Sequence, residues 1–494
     1  MNPPNPLALA RADLLRRQAY VNGRWIDAPL AATFAVTNPA DGSLIVELAD
    51  CGAETARAAT DAAVAAFEGW RRETGKARAA LLRKWFDLIV ANGEDLARLM
   101  SWEMGKPLAE SRAEVAYGAG FIEWFAEEAK RGGGDVIPAP VPGREIVVVK
   151  EPVGVVAAIT PWNFPVAMLT RKLGPALAAG CAAVVKPAGE TPLCALALAV
   201  LAEEAGLPPG LINIVTCGHD NTEAVGKAWL DDVRVRKLSF TGSTPVGRAL
   251  AEASAKTLKR VSLELGGNAP FVVFDDADLD VALASLKAAK FRNTGQACTA
   301  ANRILVDAAV ADAFVGRVVS MVQNLSVGAA AEGPADIGPL INEKAVAKVE
   351  RLVADAVAKG ATVLVGGARH PRGPAFWAPT VLDGITPEMD IWNEEVFGPV
   401  ISITRFRGET EGVRLANATD YGLASYVFSR DVSRCWRVAR ALDVGMSGIN
   451  EGLISTEAAP FGGVKQSGYG REGSAEGLAE YQALKYLCFG GLNG

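Results

Sequence analysis

Residues 153–186 read VGVVAAITPWNFPVAMLTRKLGPALAAGCAAVVK, in which an apolar run, a helical pattern and a second apolar run follow one another. Short apolar runs joined by a segment with helical spacing are typical of a βαβ unit. The same alternation continues along the chain, with further strands predicted at 212–216, 235–240 and 260–263. This repeat predicts a parallel sheet with right-handed crossovers, whose ligands bind at the carboxyl ends of its strands.

The residues that follow the predicted strands are the first candidates for a ligand site. They carry amide, lysine, serine and carboxylate side chains, in Thr160-Pro161-Trp162-Asn163-Phe164-Pro165, Lys186-Pro187-Ala188-Gly189-Glu190, Phe240-Thr241-Gly242-Ser243 and Glu264-Leu265-Gly266-Gly267. A helix that begins at Thr244 or Pro245 would direct free N–H groups at a phosphate. The glycines do not follow the GxGxxG dinucleotide fingerprint, and ordinary β-to-α turns also use Gly, Pro, Ser and Thr. Both interpretations of these turns stay open at this point.

A cysteine with small neighbours follows in Lys290-Phe291-Arg292-Asn293-Thr294-Gly295-Gln296-Ala297-Cys298-Thr299. Small neighbours leave its sulfur approachable, and Glu264 precedes it in the chain beside paired glycines. We interpret Cys298 as a nucleophile and Glu264 as its base. The alternative is that Cys298, one of seven cysteines, is simply a small buried hydrophobic residue.

The chain has only two histidines, His219 and His370, and both fall in polar loops. We expect both at the surface, which argues against a Cys–His or Ser–His pair and favours a carboxylate base. The cysteines are scattered and odd in number, without a CxxC or a Cys/His cluster. This pattern is typical of reduced thiols and predicts no metal site.

The composition excludes several classes of function. A chain of 494 residues is too long for one hydrophobic core and suggests two or three domains. A net charge of −6 indicates no nucleic-acid partner. No apolar run is long enough to cross a bilayer, so no membrane partner is expected. Residues 1–19 lack the long apolar core and cleavage pattern of a secretory signal, and a cytoplasmic location is expected.

From about Tyr20 to its end, the chain resembles the aldehyde dehydrogenase superfamily. The resemblance rests on ordered motifs, which are Pro161-Trp162-Asn163-Phe164-Pro165, Lys186-Pro187-Ala188, Phe240-Thr241-Gly242-Ser243, Glu264-Leu265-Gly266-Gly267, Gly295-Gln296-Ala297-Cys298, Glu395-Val396-Phe397-Gly398-Pro399 and Pro460-Phe461-Gly462-Gly463. Further blocks resemble the succinate-semialdehyde dehydrogenase branch, and they are Met168-Leu169-Thr170-Arg171-Lys172, Lys290-Phe291-Arg292-Asn293 and Gly463-Val464-Lys465-Gln466-Ser467-Gly468.

The resemblance implies a mechanism that needs no histidine. A Cys298 thiolate attacks an aldehyde carbon, because the thiol itself is a poor nucleophile. The Asn163 side-chain amide and the Cys298 backbone N–H stabilise the tetrahedral oxyanion. Hydride then passes to the nicotinamide of NAD or NADP, and the resulting thioester is hydrolysed by water that Glu264 deprotonates.

The resemblance also implies how the cofactor is held. Lys186 resembles the residue that meets the adenosine ribose, Ser243 the pyrophosphate contact, and Trp162 a residue that lines the cofactor cleft. Glu395 and Phe397 resemble the residues that hold the nicotinamide ribose.

Gly189 departs from the pattern of the family. Members that prefer NAD commonly carry a glutamate at this position, where it binds the ribose 2′-OH and repels a 2′-phosphate. Here the nearest glutamate is Glu190, one place further along the chain. We therefore expect use of either cofactor, with a slight preference for NADP.

For the substrate, the resemblance implies that Arg171, Arg292 and Ser455 hold a distal carboxylate, since guanidinium groups pair well with carboxylates. The substrate is then an ω-carboxylated aldehyde, with succinate semialdehyde first. Glutarate semialdehyde, 2-oxoglutarate semialdehyde and a broad range of aliphatic aldehydes are alternatives. In another, structural interpretation, Arg171 joins Lys172 on a solvated helix face and Arg292 forms a structural ion pair. From other classes, a thioester or ester hydrolase and a non-catalytic binding protein remain possible on this fold.

The expected fold class is α/β, with a Rossmann-like parallel-sheet cofactor domain, an α/β catalytic domain and a small β oligomerisation arm. The NAD(P)-binding domain is expected at 1–132 and 152–263, and the catalytic domain with the nucleophilic cysteine at 264–460. Residues 133–151 and 478–494 are expected to be the oligomerisation elements of a homodimer or homotetramer.

Overall fold

A computed structural model describes residues 9–492 of the protein. Residues 1–8 of the predicted cofactor domain and N-terminal stretch lie outside the described residues, as do residues 493–494 of the second predicted oligomerisation element. The helices are α1 (Ala53–Trp70), α2 (Gly75–Ala91), α3 (Gly93–Met104), α4 (Leu108–Glu128), α5 (Ala167–Ala179), α6 (Leu193–Ala205), α7 (Thr222–Asp231), α8 (Thr244–Ala255), α9 (Leu279–Phe291), α10 (Ala311–Gln323), α11 (Glu343–Ala358), α12 (Asp390–Asn393), α13 (Gly408–Asn417), α14 (Val432–Ala441) and α15 (Ser474–Ala479).

The strands are β1 (Ala19–Val21), β2 (Arg24–Ile26), β3 (Thr33–Thr37), β4 (Leu44–Ala49), β5 (Asp135–Ile137), β6 (Arg144–Pro152), β7 (Val155–Ile159), β8 (Ala182–Lys186), β9 (Ile212–Ile214), β10 (Val235–Thr241), β11 (Arg260–Glu264), β12 (Ala269–Val273), β13 (Ala301–Asp307), β14 (Thr362–Val365), β15 (Thr380–Asp383), β16 (Val400–Phe406), β17 (Tyr421–Gly422), β18 (Ala424–Phe428), β19 (Met446–Ile449), β20 (Val464–Lys465), β21 (Gly468–Tyr469) and β22 (Gln482–Gly490).

The first sheet has the strand order β2-β1-β9-β8-β7-β10-β11-β21. Its five central strands are parallel, which confirms the sheet predicted from the alternating pattern. The last strand, β21, comes from near the C-terminus and pairs antiparallel with β11. In this register, Glu264 lies between Thr241 of β10 and Gly468 of β21. A segment distant in the chain thus reaches the edge of the sheet where the candidate base lies.

The second sheet has the order β14-β15-β16-β13-β12-β18-β19, and it is parallel except for the β14–β15 pair. Two paired glycines, Gly266 and Gly267, lie between β11 of the first sheet and β12 of the second. The connection from β12 runs through α9 and then through the cysteine loop into β13. Cys298 therefore lies on a loop that enters the second sheet, while Glu264 ends a strand of the first sheet.

Helix α5 is buried over its whole length, including Arg171 and Lys172. This corrects the structural interpretation in which these two residues share a solvated helix face. The helix packs between the first sheet and the N-terminal helices, so no side of it faces water. Charged residues in such a position need partners inside the protein.

A three-stranded antiparallel sheet has the order β22-β6-β5, and two small sheets, β3-β4 and β17-β20, have two strands each. The three-stranded sheet presents exposed apolar side chains, which include Val136, Leu484, Tyr486 and Phe489. Exposed apolar side chains on a separate small sheet commonly mark an interaction site.

None of the helices in residues 9–492 is long and apolar enough to cross a membrane. Within the same range, no group of three or more His, Cys, Asp and Glu side chains could hold a metal ion.

Candidate active site

A cavity of about 280 Å³ brings together most of the predicted catalytic and cofactor residues. The predicted residues that line it are Trp162, Asn163, Ser243, Glu264, Cys298, Glu395 and Phe397. Met168 and Lys348 also line this cavity, although the motifs did not single them out for it. Cys298 is a partly exposed residue and lines this cavity, whereas five of the other six cysteines are buried.

The paired glycines let three loops meet at this cavity. A Cβ atom on Gly267 would lie 2.2 Å from the carbonyl oxygen of Cys298, and one on Gly266 would lie 2.9 Å from a carboxylate oxygen of Glu395. The Gly267 N–H donates to Glu395 Oε1 at 3.0 Å. Any larger side chain would therefore push the cysteine loop or the glutamate away from the end of β11.

The cysteine loop contains three consecutive residues with left-handed backbone, Asn293 (φ 51°), Thr294 (φ 58°) and Gly295 (φ 78°). Such φ values are unfavourable for asparagine and threonine, so surrounding contacts must hold them. Glu110 accepts from the Asn293 N–H at 2.5 Å, and the Thr294 hydroxyl accepts from the Gly338 N–H at 3.0 Å. The strained turn is thus anchored on both sides, and it delivers Cys298 to the cavity.

Asn163 is held by a buried hydrogen-bond network. Its side-chain Nδ2 donates to the Gln296 carbonyl at 3.0 Å, which uses one of two N–H groups. Its own carbonyl accepts from Asn293 Nδ2 and from Lys106 Nζ, both at 2.9 Å. Lys106 in turn forms a buried ion pair with Glu114. The network joins the candidate oxyanion donor to the loop that carries the cysteine.

Glu264 is a buried carboxylate whose two oxygens have no hydrogen-bond partner among residues 9–492. Burial, together with the nearby charge of Glu472, raises its pKa well above the ordinary value. Glu472 itself lies 2.8 Å from Arg171 Nε and 2.5 Å from Lys172 Nζ. Since the two cations neutralise Glu472, Glu264 is the carboxylate of this pair that is suited to accept a proton.

The thiol of Cys298 is protonated in this arrangement. Burial and the negative charge of Glu395 raise its pKa to about 12, and Arg171 opposes the shift. Burial also raises the pKa of Glu395 to about 7. A nucleophilic thiolate therefore requires a base to remove the proton, and Glu264 lines the same cavity.

The predicted substrate residues lie beside this cavity rather than in its lining. Arg292 and Ser455 line a second, small pocket together with Thr299 and Tyr426. The guanidinium of Arg292 stacks over the Phe164 ring at 4.8 Å. No ion pair of Arg292 occurs in the described part of the chain, so the structural alternative for this residue also lacks its partner.

Arg171, on helix α5, lies near the same region. Its Nη1 contacts the sulfur of Met168 at 3.7 Å, and Met168 lines the main cavity. Its Nη2 has no hydrogen-bond partner between residues 9 and 492, although the side chain is almost fully buried. An unsatisfied buried guanidinium nitrogen is costly, and a bound anion would satisfy it.

Lys186 and Gly189 lie outside the main cavity, at the end of β8. Lys186 is buried and its Nζ donates to the carbonyl of Pro187 at 3.2 Å. A Cβ atom on Gly189 would lie 3.1 Å from the Cys217 carbonyl oxygen, so a side chain there would require a small local shift. His219 is exposed as expected, and His370 is only partly buried.

Four residues that matter for the geometry were missed from the sequence. Glu472 and Lys172 neighbour Glu264, while Lys106 and Glu114 support Asn163. Lys106 belongs to the stretch Glu103-Met104-Gly105-Lys106-Pro107, which reads as a simple junction between helices. Gly105 ends α3 with φ 83°, as expected for such a junction. The charged residue that follows it, Lys106, lies between two helices with apolar faces, and this was the signal for a buried partner.

Comparisons with known proteins agree with this geometry. Residues 25–487 match a profile described as the aldehyde dehydrogenase family. Over 98% of its length, the chain is 52% identical to the NADP(+) succinate-semialdehyde dehydrogenase GabD of Escherichia coli (strain K12), all of which is covered. It is also 52% identical to a glutarate-semialdehyde dehydrogenase of Pseudomonas aeruginosa, with the same coverage of both chains.

Among solved structures, a succinate-semialdehyde dehydrogenase from Burkholderia pseudomallei superposes with a TM-score of 0.96 at 55% identity. The match covers 98% of this chain and 100% of the other. The α/β fold with two parallel-strand sheets is therefore shared with a solved relative over nearly the full length.

Proposed function

The chain belongs to the aldehyde dehydrogenase family, and we propose that it oxidises succinate semialdehyde to succinate with NAD or NADP. The observation that carries this proposal is the presence of two guanidinium groups, Arg171 and Arg292, beside a cavity that holds an approachable cysteine. Arg171 has an unpartnered nitrogen within the described residues, and Arg292 has no carboxylate partner there. Two such cations suit the distal carboxylate of a semialdehyde.

The residues of the cavity suit a dinucleotide. Ser243 is the N-cap of α8, and its hydroxyl makes no capping bond within residues 9–492, so it and the free N–H groups of the helix can take a pyrophosphate. The Trp162 and Phe397 rings meet edge to face at 5.5 Å, and Glu395 lies beside them. Bound NAD or NADP supplies the acceptor for the hydride that leaves the aldehyde carbon. Lys186, at the end of β8, is assigned to the adenosine ribose.

The chain's own residues perform the remaining chemistry. Glu264 removes the proton of the Cys298 thiol, and the thiolate adds to the aldehyde carbon. The Asn163 amide and the Cys298 N–H donate to the oxyanion that forms. After oxidation the acyl group is a thioester on Cys298. Glu264 first releases the thiol's proton to solvent and then takes a proton from water, and the hydroxide attacks the thioester. The Cys298 thiolate leaves and regains a proton from Glu264, and the carboxylic acid is released.

Arg171, Arg292 and Ser455 are assigned to the distal carboxylate. Arg292 is supported by the aromatic face of Phe164, and Ser455 lines the same small pocket. Glutarate semialdehyde is the second candidate, since a glutarate-semialdehyde dehydrogenase is as similar to this chain as GabD is. One additional methylene separates the two substrates, and a hydrophobic pocket discriminates that by only about 10-fold to 200-fold.

The test is the formation of reduced nicotinamide by the purified protein with succinate semialdehyde, glutarate semialdehyde and butanal. We expect the two acidic aldehydes to exceed butanal in kcat/KM by about a hundredfold or more, which corresponds to roughly 2.7 kcal/mol. If kcat/KM for butanal equals that for the acidic aldehydes, the substrate assignment is wrong. Ester or thioester hydrolysis without any reduction of the cofactor would instead favour a hydrolase.

Replacing Arg292 with alanine is expected to raise KM for succinate semialdehyde about tenfold to a hundredfold, because one cation of the carboxylate site is lost. Butanal makes no use of that cation, so its kcat/KM should change far less. Steady-state kinetics with both aldehydes measure the difference. The exposed Arg430, which pairs with Asp278, offers a control, and Arg430→Ala should leave both substrates unaffected. Equal losses for both aldehydes in Arg292→Ala would contradict the role.

The cofactor preference is expected to be weak, with kcat/KM for NADP between about one and ten times that for NAD. The reason is that Gly189 supplies no carboxylate to repel a 2′-phosphate, while Glu190 is exposed. Initial rates at saturating aldehyde with each cofactor measure the ratio. A thousandfold preference for NAD would show that the reasoning about Gly189 is wrong.

We also propose the remaining organisation from the sequence prediction. The cofactor domain comprises 1–132 and 152–263, the catalytic domain 264–460, and the oligomerisation elements 133–151 and 478–494. The exposed apolar side chains of β22 and β5 support assembly into a homodimer or homotetramer. A cytoplasmic location is supported by seven cysteines that are all free thiols.

A further inference from the structure

Tyr117 lies on α4, and its hydroxyl group has no hydrogen-bond partner in the described part of the chain. The oxygen atom itself is buried, although the ring is only partly so. Buried polar atoms in folded proteins are almost always paired, and each exception calls for an explanation, such as an ordered water, a catalytic role or a bound ion or ligand. The unsatisfied hydroxyl therefore needs an explanation that the fold alone does not supply.

The surroundings of Tyr117 are those of the proposed substrate site. Its ring packs beside the small apolar cluster of Phe164, Ala167, Met168, Ala297 and Ala300, which adjoins Cys298 in the chain. Met168 lines the main cavity. Tyr117 thus packs against the cluster that contains Met168 of the main cavity and Ala297, the residue before Cys298.

Tyr117 also lies between the two arginines. The Arg292 guanidinium is 5.6 Å from the centre of its ring. On the other side, the Tyr117 ring meets Phe121 edge to face at 5.0 Å, and the Arg171 guanidinium is 5.1 Å from the Phe121 ring. Tyr117 and Phe121 are one helical turn apart, so α4 presents both rings to the arginines on one face.

We propose that the Tyr117 hydroxyl donates a hydrogen bond to the distal carboxylate of the substrate, and so determines specificity together with Arg171 and Arg292. This inference rests on the proposed function, because it assumes a carboxylated aldehyde. A carboxylate can accept about four hydrogen bonds, and two guanidinium groups that reach it from different sides leave room for a neutral donor. The phenol is a donor that adds no charge to the pocket.

The hydroxyl is suited to discrimination for a second reason. When an uncharged aldehyde such as butanal occupies the cavity, the hydroxyl stays without an acceptor, as it is without a ligand. When a semialdehyde binds, the same hydroxyl gains its partner. A site built with unpaired polar groups therefore favours the ligand that pairs them, and it disfavours an apolar analogue of equal length.

The test compares Tyr117→Phe with the parent protein on succinate semialdehyde and on butanal. We expect kcat/KM for the semialdehyde to fall about tenfold to thirtyfold, mainly through KM, and that for butanal to fall less than threefold. Inhibition by succinate against butanal provides a readout of carboxylate binding alone, and its Ki should rise by a similar factor. Tyr117→Met, which also lacks the hydroxyl, is measured alongside in case the phenylalanine variant folds poorly.

The control is Tyr20→Phe, which removes a phenol from β1, a strand near the opposite edge of the first sheet from β11 and Glu264. It should leave kcat/KM for both substrates unchanged. Equal losses on both aldehydes in Tyr117→Phe, or an unchanged Ki for succinate, would overturn the role of the hydroxyl. If the parent protein itself fails to prefer the semialdehyde over butanal, the proposed function fails instead, so the two failures are distinguishable.

Discussion

Replacing Cys298 with serine is expected to lower kcat/KM for aldehyde oxidation by at least about 10⁴-fold, the largest effect of any single substitution here. The serine hydroxyl is far harder to ionise than a thiol, and the pKa of the Cys298 thiol is itself raised to about 12. The same base would therefore generate far less alkoxide from serine than thiolate from cysteine. The measurement is the rate of reduced-nicotinamide formation at saturating cofactor. A titration of active sites detects traces of the parent enzyme in the variant.

Cys435→Ser is the matched control, since Cys435 on α14 lines neither cavity and its thiol donates to the Ser429 carbonyl, a bond that a serine hydroxyl can also make. It should keep full activity. Serine is only slightly smaller than cysteine, so Cys298→Ser should unfold at nearly the same temperature as the parent protein. Residual activity within about tenfold of the parent would show that the reaction does not pass through a thioester on Cys298.

Replacing Glu264 with glutamine is expected to lower steady-state kcat by about 10²-fold to 10⁴-fold, because glutamine cannot take a proton from water. Because glutamine also cannot take the proton of the thiol, the burst of reduced cofactor, of up to one equivalent, should be slower than in the parent, after which the acyl group stays on Cys298. Rapid-mixing kinetics and mass spectrometry of the intact protein measure the burst and the thioester. Glu54→Gln, at an exposed position in the first turn of α1, is the control. Fast turnover without an acyl-enzyme would contradict the assigned role.

The pH dependence follows from the same carboxylate. The pKa of Glu264 is raised by burial and by Glu472, and only the deprotonated form is a base. The parent kcat should therefore fall as pH falls, with an inflection above the ordinary range of a glutamate.

The stability of the fold depends on the ionisation of Glu264 in the opposite sense. The folded state retains the proton at pH values where the unfolded state has lost it, so this stabilising contribution is lost as pH rises through the folded pKa. Glu264→Gln should consequently melt higher than the parent at alkaline pH.

Much of the site was predictable because its chemistry lies in short segments. Cys298 stands among small residues, and Glu264 precedes two glycines whose Cβ positions would collide with the cysteine loop and Glu395. Asn163 follows a strand of the parallel sheet directly. For these residues the local pattern carries both the fold and the candidate role, and the cavity contains all three.

The supporting residues were not predictable in this way, since their partners are distant in the chain. Lys172 and Glu472 are 300 residues apart, and Lys106 is 57 residues from the Asn163 carbonyl that it contacts. Neither pair leaves a periodic or compositional signal. The unpartnered hydroxyl of Tyr117 is likewise a property of the space around it, and its position on an ordinary helical pattern does not reveal it.

The sequence by itself therefore determined the α/β architecture and predicted Cys298 as the nucleophile, because apolar periodicity and small-residue loops are local properties. Only the tertiary structure decided the protonation of Glu264 and the surroundings of Arg171. Helix α5 is buried on every side, so its sequence could not tell which face a charged residue would occupy. The pKa of Glu264 is raised by burial and by Glu472, which comes from the far end of the chain. Both effects exist only once the sheets have assembled.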